Sequence, residues 1–216
     1  MKSWPAALVL LLPGLLAAAS LYEQPAGSKI SGSFEHGTKR ILVPPGNWTY
    51  VASLRSAATT DRVLQGPAFA GVYLVEVKDG RLTRALLVFG NVETSGLRWA
   101  ANTDPCKKRE QTSVYRDLSQ NIDNQFCFDV SESPGYVPRN PEWRKAVQGW
   151  FAEQQLKLPP AMLAVRFAQI SRGSLAELYY YFDPAELGPG PPAAQVQAAV
   201  KWAESVAAEV RAGLER

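Results

Sequence analysis

One histidine, two cysteines and a scatter of aspartates are the residues from which this chain could build chemistry. A hydrolase of the Ser-His-Asp kind needs an imidazole oriented by a carboxylate. The sole imidazole is His36, in a polar, glycine-containing stretch that reads as a solvated loop. Neither G-x-S-x-G nor S-x-x-K occurs, so no nucleophile elbow and no serine–lysine pair is encoded. A Walker loop and a G-x-G-x-x-G are missing too, which removes the common nucleotide cradles. Two cysteines and one distant histidine do not make a metal-ligand set. No cofactor is therefore expected. Paired carboxylates remain as acid and base, and Asp104, Asp117, Asp123 and Asp129 lie in or beside one long polar stretch. The plainer reading of those four is as solvating charges and turn formers.

Binding has better candidates than catalysis. The polar stretch from Ala100 to Gln125 brackets Lys107-Lys108-Arg109 and then carries Tyr115 and Arg116. Arg166 and Tyr179 face each other across a hairpin described below, which makes a cross-strand cation–π pair available. Arginine and tyrosine are the types most enriched at binding hot spots. Arg109, Tyr115, Arg116, Arg166 and Tyr179 are thus the expected binding surface. In the run Tyr179-Tyr180-Tyr181 strand alternation must send at least one ring to the core.

The start of the chain gives an address. Met1 to Ser20 reads MKSWPAALVLLLPGLLAAAS: Lys2 is a short positive region, Ala6 to Leu16 an apolar core, and Ala17-Ala18-Ala19 a small-residue cleavage site. Residues 1–19 are expected to be a signal peptide cut between Ala19 and Ser20. A membrane span needs about 20 apolar residues, and this run is shorter and broken by Pro13-Gly14. No second long apolar run follows, so no membrane span is expected after cleavage. The expected place is periplasmic or secreted. There Cys106 and Cys127 should pair as a disulfide. Asn47-Trp48-Thr49 fits a glycosylation sequon, which matters only in a eukaryotic secretory pathway. The compact alanine- and leucine-rich leader is bacterial in style.

Composition bounds the rest. Of 216 residues, 23 are basic and 20 acidic; loss of Lys2 leaves 22 against 20. So even a balance argues against a nucleic-acid partner, which calls for a concentrated basic face. The apolar content suits one ordinary core.

The elements that must position these side chains follow from turn chemistry and periodicity. Residues 20–38 are polar and glycine-rich and read as a flexible leader. Arg40 to Pro44 and Trp48 to Leu54 flank Pro44-Pro45-Gly46-Asn47, a type II turn signature that predicts a first hairpin. Phe69 to Lys78 and Arg81 to Gly90 flank Asp79-Gly80, a stronger hairpin signal, with Lys78 opposite Arg81 and Tyr73 opposite Leu86. That register puts Val72, Leu74, Leu87 and Phe89 on one face and Tyr73, Val75, Leu86 and Val88 on the other. Both faces are apolar at the hairpin's base, so the hairpin belongs in the middle of a sheet. A third hairpin turns at Arg172-Gly173 and sets Phe167 opposite Leu178 and Val165 opposite Tyr180.

Two helices complete the set. Asn140-Pro141-Glu142 reads as an N-cap, a proline at the first position and an acid in the first turn. Trp143, Ala146, Val147, Trp150 and Phe151 follow at helical spacing. The final helix carries the stripe Val196, Val200, Ala203, Ala207, Val210 and Leu214. Together these give a single α+β domain over residues 39–216, an antiparallel sheet of hairpins with two amphipathic helices packed on it.

The set Pro44-Pro45-Gly46-Asn47-Trp48, Cys106, Phe126-Cys127 and Tyr180-Tyr181-Phe182-Asp183-Pro184 resembles a group of exported proteobacterial proteins of unknown function. The resemblance implies export and brings no catalytic residues. The Pro-x-Gly-x-Trp opening and the element order are also similar to the Mog1/PsbP-like proteins. The function expected from all this is non-enzymatic binding of a small ligand or an envelope protein. The alternatives are a carboxylate-based hydrolase and a structural envelope component. The oligomeric state is not encoded in any feature above.

Overall fold

The computed structural model describes residues 21–56, 68–93, 106–109, 112–133, 135–171 and 173–215. The expected signal peptide of residues 1–19, its expected Ala19–Ser20 junction, Asp104 and Arg172 lie outside the described residues. The strands are β1 (Lys29–Ile30), β2 (Ser33–His36), β3 (Lys39–Leu42), β4 (Trp48–Ser56), β5 (Phe69–Lys78), β6 (Arg81–Asn91), β7 (Thr112–Asp117) and β8 (Gln125–Ser133). Helix α1 (Pro141–Glu153), β9 (Met162–Ser171), β10 (Ser174–Phe182) and α2 (Pro192–Leu214) complete the chain. Eight strands form one antiparallel sheet in the order β1-β4-β5-β6-β10-β9-β8-β7, and β2 and β3 form a separate two-stranded sheet. The expected α+β class is what the chain adopts.

Each face of the large sheet has its own helix. On one face Trp143, Val147 and Phe151 of α1 pack with Tyr73, Val75, Leu87 and Tyr181. Asn140 caps that helix by accepting from the Trp143 amide at 3.1 Å, and Pro141 opens it, as the sequence predicts. On the other face Val200, Ala203, Ala207, Val210 and Leu214 of α2 pack with Phe126, Phe128, Phe167 and Tyr180. Each such aromatic removed from water contributes about 2–3 kcal/mol. Tyr180 points to α2 while Tyr179 and Tyr181 stack 6.0 Å apart on the opposite face, so the three tyrosines do alternate.

The third hairpin has the expected register: Phe167 pairs with Leu178, Val165 with Tyr180 and Arg166 with Tyr179. The Asp79-Gly80 hairpin starts as expected, with Lys78 opposite Arg81, but slips one residue farther on. Val77 pairs with Leu82 and Glu76 with Arg84, leaving Thr83 as the extra residue of a bulge. Tyr73 consequently faces Leu87, not Leu86. Leu86 and Val88 change sides and join Val72 and Leu74 under α2.

Two expectations at the start of the domain are corrected. Residues 20–38 are no loose leader: from Leu21 on they hold a 3-10 turn, β1 and β2, and Leu21, Tyr22, Ile30 and Phe34 pack against the core. His36, read as a solvated loop residue, is fully buried. The Pro44-Pro45-Gly46-Asn47 turn does not close a hairpin either. β3 pairs with β2, while β4 pairs with β1 and β5. The turn carries the chain from the small sheet to the large one, and side chains satisfy its backbone. Glu76 Oε1 accepts from the Asn47 amide at 2.9 Å, Arg84 donates to the Pro45 carbonyl at 2.8 Å, and the Trp48 indole donates to the Pro44 carbonyl at 2.6 Å.

Candidate functional site

Three of the five sequence-predicted binding residues come together, on the α1 side of the sheet near β8, β9 and β10. Strand register brings Asp129 opposite Arg166 and Arg166 opposite Tyr179. The Arg166 guanidinium reaches Asp129 Oδ2 at 2.6 Å from Nε and Glu177 Oε1 at 2.8 Å. Arg109 bridges in from the disulfide loop, donating to Glu177 Oε1 and to the Tyr179 hydroxyl at 3.1 Å each. Its guanidinium carbon sits 5.9 Å from the Tyr179 ring centroid. The ring over which the sequence placed Arg166 is therefore taken by Arg109.

The network is closed and nearly neutral, two guanidinium groups against two carboxylates. Burial pulls Arg166 down, and Asp129, Tyr179 and Glu177 together more than offset it, leaving its pKa above the ordinary arginine value. Burial also raises the Tyr179 hydroxyl, with Glu177 adding to it and Arg109 opposing. Arg166 is 1% exposed, so it has no face to offer a partner. It serves as an anchor of the sheet, and the reading of Arg166 as a surface residue is corrected on that ground.

Tyr115 stands beside this cluster, opposite Asp129 across β7 and β8, whereas Arg116 faces away from it. The Tyr115 hydroxyl donates to the Cys106 carbonyl, and its ring lies against the Cys106–Cys127 disulfide. That disulfide forms as expected, with a Cα–Cα distance of 5.5 Å. Arg116 points to the other face, where it meets Glu204 of α2 at 3.8 Å with both side chains about half exposed. Such a pair contributes under about 1 kcal/mol.

Among the described residues the candidate acids Asp117, Asp123 and Asp129 make no contact with one another. Asp117 is exposed and caps its own turn at the Ser119 amide, and Asp123 is exposed. Asp129 and Glu177 do approach each other, but one guanidinium fills the space between them. Asp129 is buried beneath that arginine, while Glu177 is partly exposed and already bridged by Arg109 and Arg166.

A cavity of about 490 Å³ lies on the opposite side of the molecule. The β2–β3 hairpin and α2 lie side by side over the sheet, and the cavity opens between them. Leu42, Val43, Trp202 and Val206 supply apolar walls. Ser33, Arg40 and Glu209 stand at its rim, with Arg40 Nε donating to the Ser33 hydroxyl at 2.8 Å. Trp202 is fixed from behind by Tyr180 and Phe182, whose ring centroids are 5.0 and 4.9 Å away. At the far end the two elements touch: a Cβ built on Gly213 would meet the Arg40 carbonyl oxygen at 2.2 Å. This volume falls within the usual range for small-molecule sites, and the mixture of apolar walls and a few polar groups is typical of them.

Sequence reasoning missed the cavity. The signal was present in α2, where Trp202, Val206 and Gly213 form a second, uncharged line at helical spacing beside the buried stripe. An apolar arc wider than one packing seam contacts two things. Here they are the sheet and the hairpin, and the hairpin fell in the stretch read as leader. No family model matches the chain, and neither a curated protein nor a solved structure matches it.

Proposed function

We propose that this is an exported, non-enzymatic binding protein that holds a small amphiphile between α2 and the β2–β3 hairpin. The observation that carries the reading is the cavity of about 490 Å³. Its walls suit an apolar body against Trp202 and Val206, and its rim of Arg40, Glu209 and Ser33 suits a polar end. The leader of residues 1–19 supports export.

Native mass spectrometry of protein purified from the exported fraction tests both parts. The expected polypeptide begins at Ser20 and carries a small-molecule adduct. Val206→Arg, which fills the cavity, should remove the adduct, while Arg116→Ala should retain it. An adduct indifferent to Val206→Arg would move the site elsewhere. A bare polypeptide that also fails to take up an uncharged apolar fluorophore would end the binding reading.

A further inference from the structure

The tip of the β2–β3 hairpin buries two basic groups side by side. His36 and Lys39 are paired across the turn Gly37-Thr38, and they are 0% and 2% exposed. The tip is pressed onto the end of β6. Gly37 takes a φ of +63°, and a Cβ there would lie 2.3 Å from the Val92 carbonyl oxygen. Lys39 Nζ donates to the Asn91 carbonyl at 2.7 Å. Tyr22 Oη lies 2.7 Å from His36 Nδ1, and His36 Nε2 lies 3.4 Å from the Gly90 carbonyl oxygen.

Those contacts fit a neutral ring, with the tyrosine donating to Nδ1 and Nε2–H donating to the carbonyl. The groups that face the ring from neighbouring elements are Tyr22, Lys39, Asn91 and the Gly90 carbonyl. Behind Tyr22 stands Arg55, 5.8 Å from the ring centroid. Glu35 and Arg40 lie on the hairpin's outer face, and Glu93 is exposed and gives Asn91 only its backbone carbonyl. Among the described residues neither His36 nor Lys39 has a carboxylate partner. Burial first, and then the Lys39 charge, hold the imidazole down to about 4. Burial alone holds the Lys39 amine down to about 8.

We infer that this tip is an acid-released latch: protonation of His36 beside Lys39 undocks the hairpin from β6. The same hairpin supplies Arg40, next to the tip, to the cavity wall, so undocking displaces that part of the wall and loosens the ligand. That consequence rests on the ligand-binding reading above; the latch itself does not. The charge logic is one-sided. Among the described residues a second positive charge at the tip finds no carboxylate to meet it, whereas in water it is solvated. The other end of the hairpin stays tied to the large sheet, because the Tyr180 hydroxyl donates to the Leu42 carbonyl at 2.9 Å, and the Val43 amide closes the hairpin's own base by donating to the Gly32 carbonyl. Release therefore swings the tip about a fixed base.

Because His36 is the only histidine, its ring resonances in untagged protein are unambiguous. The expected result is a ring titration with its midpoint below about pH 5. The amide signals of residues 33–42 should move with the same midpoint. An N-phenylnaphthylamine probe, uncharged throughout this range, should bind at pH 7, lose about twofold in affinity at that midpoint and about tenfold one pH unit below it. In His36→Gln both the hairpin signals and the probe affinity should stay level. A ring that titrates near its ordinary value with the hairpin signals unmoved would overturn the latch. So would the same hairpin transition persisting in His36→Gln. If the probe does not bind at pH 7, the groove reading fails, and the ring and amide titrations still decide the latch. Should the variant not fold, the wild-type titration decides it alone.

Discussion

Arg166 shows what a residue type does and does not reveal. An arginine in a strand of alternating character reads as an outward-facing, partner-seeking side chain. Its alternation was correct and its exposure was not, because the face it occupies is covered by the disulfide loop and by Arg109. Removing it should therefore damage the fold. Arg166→Met leaves Asp129 buried without its cation, and the expected loss is about 3–5 kcal/mol. Arg109→Ala removes a pair that is partly in water, and should cost under about 1 kcal/mol. Urea unfolding of the two variants compares them, and equal losses would contradict the anchoring role. His36 supplies a second residue-level expectation. Its folded pKa of about 4 lies below the ordinary 6.5, so the unfolded chain takes up the proton first. Its contribution to stability is complete above pH 6.5 and is lost as the pH falls toward 4, by about 3 kcal/mol in all. The carboxylates add their own acid sensitivity. The difference between wild type and His36→Gln at pH 7 and pH 4.5 isolates the histidine, and parallel pH profiles would refute the assignment.

At the level of elements, α2 and the β2–β3 hairpin depend on a glycine that a helix would ordinarily do without. Gly→Ala inside a helix usually stabilises by about 0.5–1 kcal/mol. At Gly213 the new methyl would press on the Arg40 carbonyl, which is backbone and cannot turn aside. Gly213→Ala is expected to lower the melting temperature, by an overpacking cost of about 1–3 kcal/mol. A rise would mean that the helix and the hairpin separate freely. The disulfide is the second tie between elements. With its cysteines 21 positions apart in sequence it should contribute about 3 kcal/mol, lost on reduction or in Cys106→Ala/Cys127→Ala and read as a fall in melting temperature. These elements were legible from sequence to different depths. Asp79-Gly80 and Asn140-Pro141 announce local events, and each forms where expected, as does the pairing of Ser171 with Ser174 that the third hairpin requires. The Thr83 bulge announces nothing. It is held by its surroundings, with the Thr83 hydroxyl donating to the Glu76 carbonyl at 3.2 Å and the Thr83 carbonyl accepting from Asp183 at 2.8 Å. A turn read locally could not show that Glu76 and Arg84, distant in sequence, had claimed the bonds of the Pro44-Pro45 segment.

Across the whole molecule, the two apolar cores are not separable. β5, β6, β9 and β10 lie in the middle of the sheet and send alternate residues into both. Val72 and Leu74 face α2 while Tyr73 and Val75 face α1, so losing either helix strips one side of the same strands. The small β2–β3 sheet is different. It has no ladder to the large sheet, and it is held by Phe34 and Ile41, the buried tip and a few bonds at its base. Equilibrium unfolding at neutral pH should therefore be one cooperative transition, with far-ultraviolet circular dichroism and tryptophan fluorescence coinciding. Amide hydrogen exchange should nevertheless divide the molecule. Amides of β5, β6 and β10 should exchange only through global unfolding, and those of β2 and β3 through a smaller opening of lower free energy. Lowering the pH toward 5 should widen that gap by loosening the hairpin before the sheet. Two resolved denaturant transitions at pH 7 would show that the shared strands do not couple the cores. Equal protection of β3 and β6 at both pH values would show that the hairpin is as much a part of the cooperative unit as the sheet beneath it.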